Sequence, residues 1–159
     1  TGSLPTDHGF DFNIAGTHKG SPSSFFSPYN MDNITNGPNG ENLEMRLAKE
    51  TASFIQNNKD KSFFAFLSFY AVHAPIQTTK KKWSYYRDKA EKMGIQEIGF
   101  EMERIFPARK KQDNPVYAGL VSSVDDAVGV VLESLSKNKL DKNNYYLFAY
   151  ISRFFLWLK

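Results

Sequence analysis

The run Ser62-Phe63-Phe64-Ala65-Phe66-Leu67-Ser68-Phe69 constrains this chain more than any other stretch. It has almost no polar positions to give to water. A strand built from it must be covered on both faces, as in a parallel sheet between layers of helix. The run leads into Tyr70-Ala71-Val72-His73-Ala74-Pro75. Pro75 biases Ala74 towards an extended conformation and stiffens the turn. In open α/β sheets, binding and catalytic groups gather beyond the carboxyl ends of strands, and His73 stands at that address. On the residues alone, a capping or packing histidine and a site histidine both remain open.

The segments around the run read as helices. In residues 39–58, Leu43, Leu47, Thr51, Phe54 and Ile55 fall on one face at helical spacing, and Asn57-Asn58 marks the end. Residues 78–94 form a second helix with its lysines outward, stopping near Gly94. Residues 95–114 are charged and read as irregular. A third helix follows, begun by Asn114 as cap and Pro115 in the first turn. Tyr117, Leu120, Val121, Val124, Val128, Val131, Leu132 and Leu135 make its apolar stripe. Residues 145–151, YYLFAYI, read as another strand. Strand, helices and strand in this order predict an α/β fold with a right-handed βαβ crossover. No internal repeat is present.

Residues 1–40 are rich in Gly, Pro, Ser, Asn and Asp and read as a long loop. Phe10, Phe12, Phe25, Phe26 and Tyr29, spread along it, predict a loop packed onto the rest of the chain.

A length of 159 residues allows one domain with a real core. The absence of cysteine excludes a disulfide framework, a thiolate zinc site and a thiol nucleophile within this chain. A net charge of +3 suits an anionic ligand. Lys80-Lys81-Lys82 and Arg109-Lys110-Lys111 read as solvated faces, without the aromatic or glycine pattern of a nucleic-acid module, so no nucleic-acid partner is expected. The start shows neither methionine nor the basic and apolar regions of a leader, which predicts a processed or truncated beginning. The tail YYLFAYISRFFLWLK, interrupted by Arg153, is too short for a bilayer span, and none is expected.

Other polar residues are candidates for chemistry. His18 and Lys19 sit in GTHKGSP, a glycine-flanked loop whose backbone could approach an anion; a plain turn is the competing reading. His8 reads as a structural loop residue. Asp125-Asp126 resembles a metal-ligand pair only superficially and reads as helix-surface charge.

The chain resembles a sulfatase of the bacterial arylsulfatase type. The resemblance rests on PTDHGFDFNIAG, HKGSPSSFFSPY, NGPNGENLEMRLAKETASFI, NKDKSFFAFLSFYAVHAPIQ and NPVYAGLVSSVDDAVGVVLESL, which together cover most of residues 5–140. It implies an alkaline-phosphatase-like α/β fold, with a mostly parallel central sheet flanked by helices, incomplete at both ends. It also implies hydrolysis of sulfate esters, on sulfated carbohydrate or aryl sulfate. In the family, a cysteine or serine in a C/S-x-P-S/A-x-R motif becomes formylglycine, and a calcium ion held by Asp and Asn polarises the sulfate. His73 matches the family's Y-A-V-H-T/A-P turn, which implies contact with a sulfate oxygen or the leaving oxygen.

The family's nucleophile motif and first calcium ligands lie upstream of the part matched here, and Ser21-Pro22-Ser23-Ser24 is not that motif. After Asn144 the aromatic tail replaces the expected Asp-Asn ligands, which suggests a shifted frame or an unrelated join. Residues 1–144 are thus expected to be an internal part of a sulfatase catalytic domain, and 145–159 an aberrant tail. No metal ligand is assigned, neither calcium nor formylglycine is expected in this chain, and turnover by it alone is not expected. A phosphatase or phosphodiesterase relative on the same scaffold, and a non-catalytic product with weak anion binding, remain as alternatives.

Overall fold

Helix α1, Leu43–Asn58, starts because the Asn42 side chain accepts the Met45 backbone N–H, satisfying one of the donors a helix start leaves free. Helix α2, Lys80–Lys92, is capped in the same way by Thr79, which accepts from Lys82. Its chain reverses at Gly94, whose φ of +62° is open to glycine without strain. Helix α3, Pro115–Lys137, begins as expected: Asn114 accepts from Val116 and Tyr117, and Pro115 occupies the first turn. The computed structural model describes residues 3–142 and 145–147.

Helix α3 packs against both α1 and α2. Its buried face is Gly119, Leu120, Ser123, Ala127 and Leu135. This keeps part of the expected stripe, with Leu120 and Leu135 buried and Val124, Val128 and Val131 half-buried, and corrects the rest, since Tyr117, Val121 and Leu132 are exposed. Small side chains let the neighbours come close, and closeness decided which face was covered. A Cβ at Gly119 would stand 2.3 Å from the Thr78 hydroxyl. By length and composition α3 could cross a bilayer. It packs on two helices and pairs Asp126 with Lys82 of α2 at 2.6 Å.

The long loop is anchored to α1. Phe25 and Tyr29 are fully buried beside Leu43 and Leu47. The Leu43 N–H donates to the Phe25 carbonyl at 2.9 Å, and Phe26 and Asn42 form an antiparallel bridge. The Tyr29 hydroxyl donates to Glu41 at 3.1 Å, and Lys49 reaches the same carboxylate at 2.6 Å. Burial, then the Glu41 hydrogen bond, pushes the Tyr29 phenol above its ordinary range. Burial also acts to raise Glu41, but the bonds from Lys49 and Tyr29 outweigh it and hold Glu41 below the usual carboxylate range. Phe12, by contrast, remains largely exposed and meets the chain only edge-on, its ring 5.9 Å from that of Phe54.

Two expectations are corrected. Residues 62–69 are not in a paired strand: no backbone hydrogen bond joins them to another described segment. Their side chains nonetheless alternate. Leu67 and Phe69 lean on the core and Phe63 meets Phe54 edge-on, while Phe64 and Phe66 are 72% and 67% exposed. The run has extended-chain periodicity, with the core on one face and, on the other, the Phe10 ring 5.9 Å from a Phe64 that stays mostly exposed. In addition, residues 95–114 are not wholly irregular. Strands β1, Phe100–Glu103, and β2, Phe106–Arg109, form an antiparallel hairpin in the register Phe100 to Arg109. Its charged residues and the lack of an Asn-Gly turn hid it. Arg109 bonds Asp113 at 2.6 Å, tying the hairpin to the start of α3.

Among the described residues this hairpin is the only sheet, so the parallel sheet and the βαβ crossover are not formed within them. The expected strand at 145–151 lies mostly outside the described residues, and 145–147 are not in a strand. The rest of the aromatic tail also lies outside them.

Candidate active site

The segment from Tyr70 to Thr79 is fastened at several points, and His73 lies between them. The His73 N–H donates to the Tyr70 carbonyl at 2.9 Å, closing a tight turn. The Tyr70 side chain packs on the core cluster of Ala15, Tyr29, Ile34, Leu43 and Leu47. Further on, Gln77 accepts the Phe25 N–H at 2.8 Å, and Thr78 is held under Gly119. The peptide bonds Ala71–Val72 and Ala74–Pro75 are both cis.

His73 itself is exposed. Its Nδ1 lies 2.9 Å from the Ala74 carbonyl oxygen. A carbonyl only accepts, so Nδ1 carries the hydrogen and Nε2 faces outward with its lone pair, or with a second proton, available. That arrangement can give a proton to an anion or to a leaving oxygen.

His18 and Lys19 are exposed on the loop that Tyr70 touches. The Tyr70 hydroxyl donates to the Ala15 carbonyl at 2.7 Å and lies 3.4 Å from the Thr17 hydroxyl. Thr17 in turn accepts the Lys19 N–H at 3.1 Å. Ala15 has a φ of +60°, and the Asn13 and Asn33 side chains both donate to Gly16 O, so the loop is shaped by its own bonds. All three site candidates therefore belong to two segments joined by one tyrosine. His8 is not brought to them; it sits in the turn Pro5–His8 and hydrogen-bonds Ser3. Asp126 pairs with Lys82 of α2, and Asp125 is exposed on the helix surface.

Sequence reasoning missed Glu44. This residue, in the first turn of α1, is fully buried, and neither carboxylate oxygen has a hydrogen-bond partner. Burial pushes its carboxyl up to about 7, against the Glu44 and Ala71 backbone N–H groups, Asn42 and Lys82, which favour the charged form. Those donors are near, but none is aligned into a bond with either oxygen. A signal was present: Glu44 precedes Ala48 by four residues and Ile55 by eleven, on the buried side of the helix.

The described residues do not fit the calcium ion the resemblance implies. No three His, Asp or Glu side chains among them gather as a metal site. The chain also holds no cysteine, and none of its serines stands in a Ser-x-Pro-Ser/Ala-x-Arg run of the kind from which formylglycine is made. Two shallow hollows, about 310 Å³ beside Tyr85 and Met93 and about 270 Å³ between α1 and α3, are lined by none of the site candidates.

The sulfatase family model matches residues 3–152. No curated protein matches the sequence. Among solved structures, the chain is similar to the crystal structure of Ps i-CgsB in complex with k-i-k-neocarrahexaose. The two share 23% identity over 86% of this chain and 31% of that one, with a TM-score of 0.53. A further crystal structure of Ps i-CgsB shares 24% identity over 70% of this chain and 22% of that one, with a TM-score of 0.47. The chain thus spans less than a third of the solved chains it matches. With nearly its whole length matched by the family model, and the alkaline-phosphatase-like α/β fold and hydrolase class that this carries, the chain belongs to the sulfatase family.

Proposed function

We propose that this chain supplies part of a sulfate-ester hydrolase site, with His73 as the residue that touches the sulfate oxygen or the leaving oxygen. The observation that carries the reading is the exposed His73 ring, held through Nδ1 by the Ala74 carbonyl with Nε2 outward, in a chain matched as a sulfatase. When doubly protonated, the ring donates its Nε2 proton to the ester oxygen as the S–O bond breaks, keeping the Nδ1 hydrogen on Ala74. His18 and Lys19 add donors and positive charge for the remaining sulfate oxygens.

The family's formylglycine and calcium would supply the nucleophile and the main charge neutralisation. The described residues gather no group of acidic side chains for the ion, so this chain's own part is anion binding and proton transfer. Residues 62–69 serve, in this reading, as a strand of a mostly parallel central sheet, with His73 beyond its carboxyl end. The oligosaccharide bound in the Ps i-CgsB structure favours a carbohydrate-borne sulfate ester over an aryl one.

The test is binding and turnover by the purified chain. An oligosaccharide sulfate should bind weakly, and His73→Ala should weaken it further without changing the thermal midpoint. No sulfate should be released. Equal binding by wild type and His73→Ala would remove His73 from the site. Sulfate release that tracks added calcium would overturn the partial-site reading.

A further inference from the structure

The two segments that carry the site candidates are distant in sequence and meet through one side chain. Tyr70 and Ala15 are separated by 55 positions, and their bond is 2.7 Å long. Because the Tyr70 hydroxyl hydrogen goes to the Ala15 carbonyl, its oxygen is left to accept from the Thr17 hydroxyl at 3.4 Å. Thr17 Oγ1 in turn accepts the Lys19 N–H at 3.1 Å. A directed chain of bonds thus runs from the Lys19 backbone through Thr17 and Tyr70 to Ala15. The same tyrosine's carbonyl accepts the His73 N–H at 2.9 Å. No other hydrogen bond joins residues 13–19 to residues 70–75 among those described.

We infer that Tyr70 is a positioning residue that sets the loop bearing His18 and Lys19 in register with His73, so that the two segments bind one anion together. This rests on the sulfate-binding reading above and adds a coupling that the reading does not require. Tyr70 does not touch the anion. It acts by holding Lys19 and His73 at a fixed separation, which matters because an anion clamp loses affinity when its donors must be ordered on binding. The ring of Tyr70 is packed on the core, so removing the hydroxyl alone spares the packing.

The experiment is a titration of the full chain with inorganic sulfate at constant ionic strength, followed by backbone amide shifts. In the wild type, the Lys19 and His73 amides should shift together with one dissociation constant. Tyr70→Phe should weaken binding about fivefold to tenfold, the scale of a lost hydrogen bond, and separate the two responses. Lys19→Ala should then cost less in the Tyr70→Phe background than in the wild type. Thr17→Val breaks the same chain one bond further along and should have the same effect, so the test survives if Tyr70→Phe folds poorly. His73→Ala should silence the Lys19 response as well. If His73→Ala weakens binding while Tyr70→Phe and Thr17→Val leave both affinity and the common response intact, the coupling is wrong and the sulfate reading stands. If neither His73→Ala nor Tyr70→Phe changes the titration, or the wild type does not respond, the sulfate reading falls and the coupling with it.

Discussion

The loop-and-helix region around α1 and the apolar run 62–69 are both rich in phenylalanine, yet they end in different conditions. Phe25, Tyr29, Leu43 and Leu47 are buried, and the backbone between Phe25 and Leu43 bonds to itself at Ser27, Gly40 and Glu41. Phe64 and Phe66 are exposed, and the backbone from 62 to 69 bonds to nothing described. The first region makes most of its backbone bonds with residues close in sequence, with the Phe25 N–H reaching Gln77 and Glu44 left without a partner. The second is an extended chain whose ladder partners must come from elsewhere, so its apolar content alone does not bury it. Local closure and long-range closure are separate requirements, and this chain satisfies them unequally.

The contrast can be broken or sharpened by measurement. Phe25→Ala removes a fully buried ring from the closed region and should cost about 3–5 kcal/mol in chemical denaturation. A cost under about 1 kcal/mol would mean that the loop does not share the helices' core.

Glu44 is the weak point of the closed region, and its effect depends on pH. Its folded carboxyl is raised to about 7 from an ordinary 4.5. The folded state therefore holds the proton more tightly than the unfolded one. Stability is present in full below the unfolded value and is lost as pH rises through about 7. Glu44→Gln should flatten that decline and leave the variant about 3 kcal/mol more stable near pH 8, read from denaturant midpoints across the range. Glu41, held below the usual range, acts in the opposite sense and only on the acid side. Unchanged pH dependence in Glu44→Gln would place the titration elsewhere.

Lys82 joins α2 to Asp126 and Ser123 on α3. Asp126 is half exposed, so Asp126→Asn should cost about 0.5–1 kcal/mol and less at high salt. The smallest effect is expected in the open region. Phe66→Ser should change stability by under about 0.5 kcal/mol while raising solubility. Amides of 63–69 should exchange without protection while those of α1 and α3 are slow, and protection in 63–69 would show that the run finds a ladder partner in solution.

The start of α3 was legible in the residues themselves, and those of α1 and α2 rest on the same local chemistry. Asn42, Thr79 and Asn114-Pro115 act within three positions of where they stand, so sequence proximity carries the interaction. His73's place in a tight turn was legible for the same reason. The hairpin 100–109 was not, because its pairing rests on a register that its charged residues do not announce. Nor was the face that α3 buries. Valine and leucine mark two sides of that helix, and the close approach at Gly119, Ser123 and Ala127 chose between them. At the site, His18, Lys19 and His73 were each visible, but the Tyr70 hydroxyl that links their segments spans 55 positions and leaves no local pattern.

By itself, then, the sequence determined the helices, the Asn114-Pro115 start and the turn that presents His73, because each rests on spacing along the chain, while the resemblance to sulfatases rests on whole matching segments. Only the tertiary structure decided that Glu44 is buried without a partner, that 62–69 rests on the core by one face and leaves Phe64 and Phe66 mostly exposed on the other, and that one tyrosine joins the site's two segments. Those outcomes depend on which surfaces meet after the chain has turned back on itself, and no spacing encodes that.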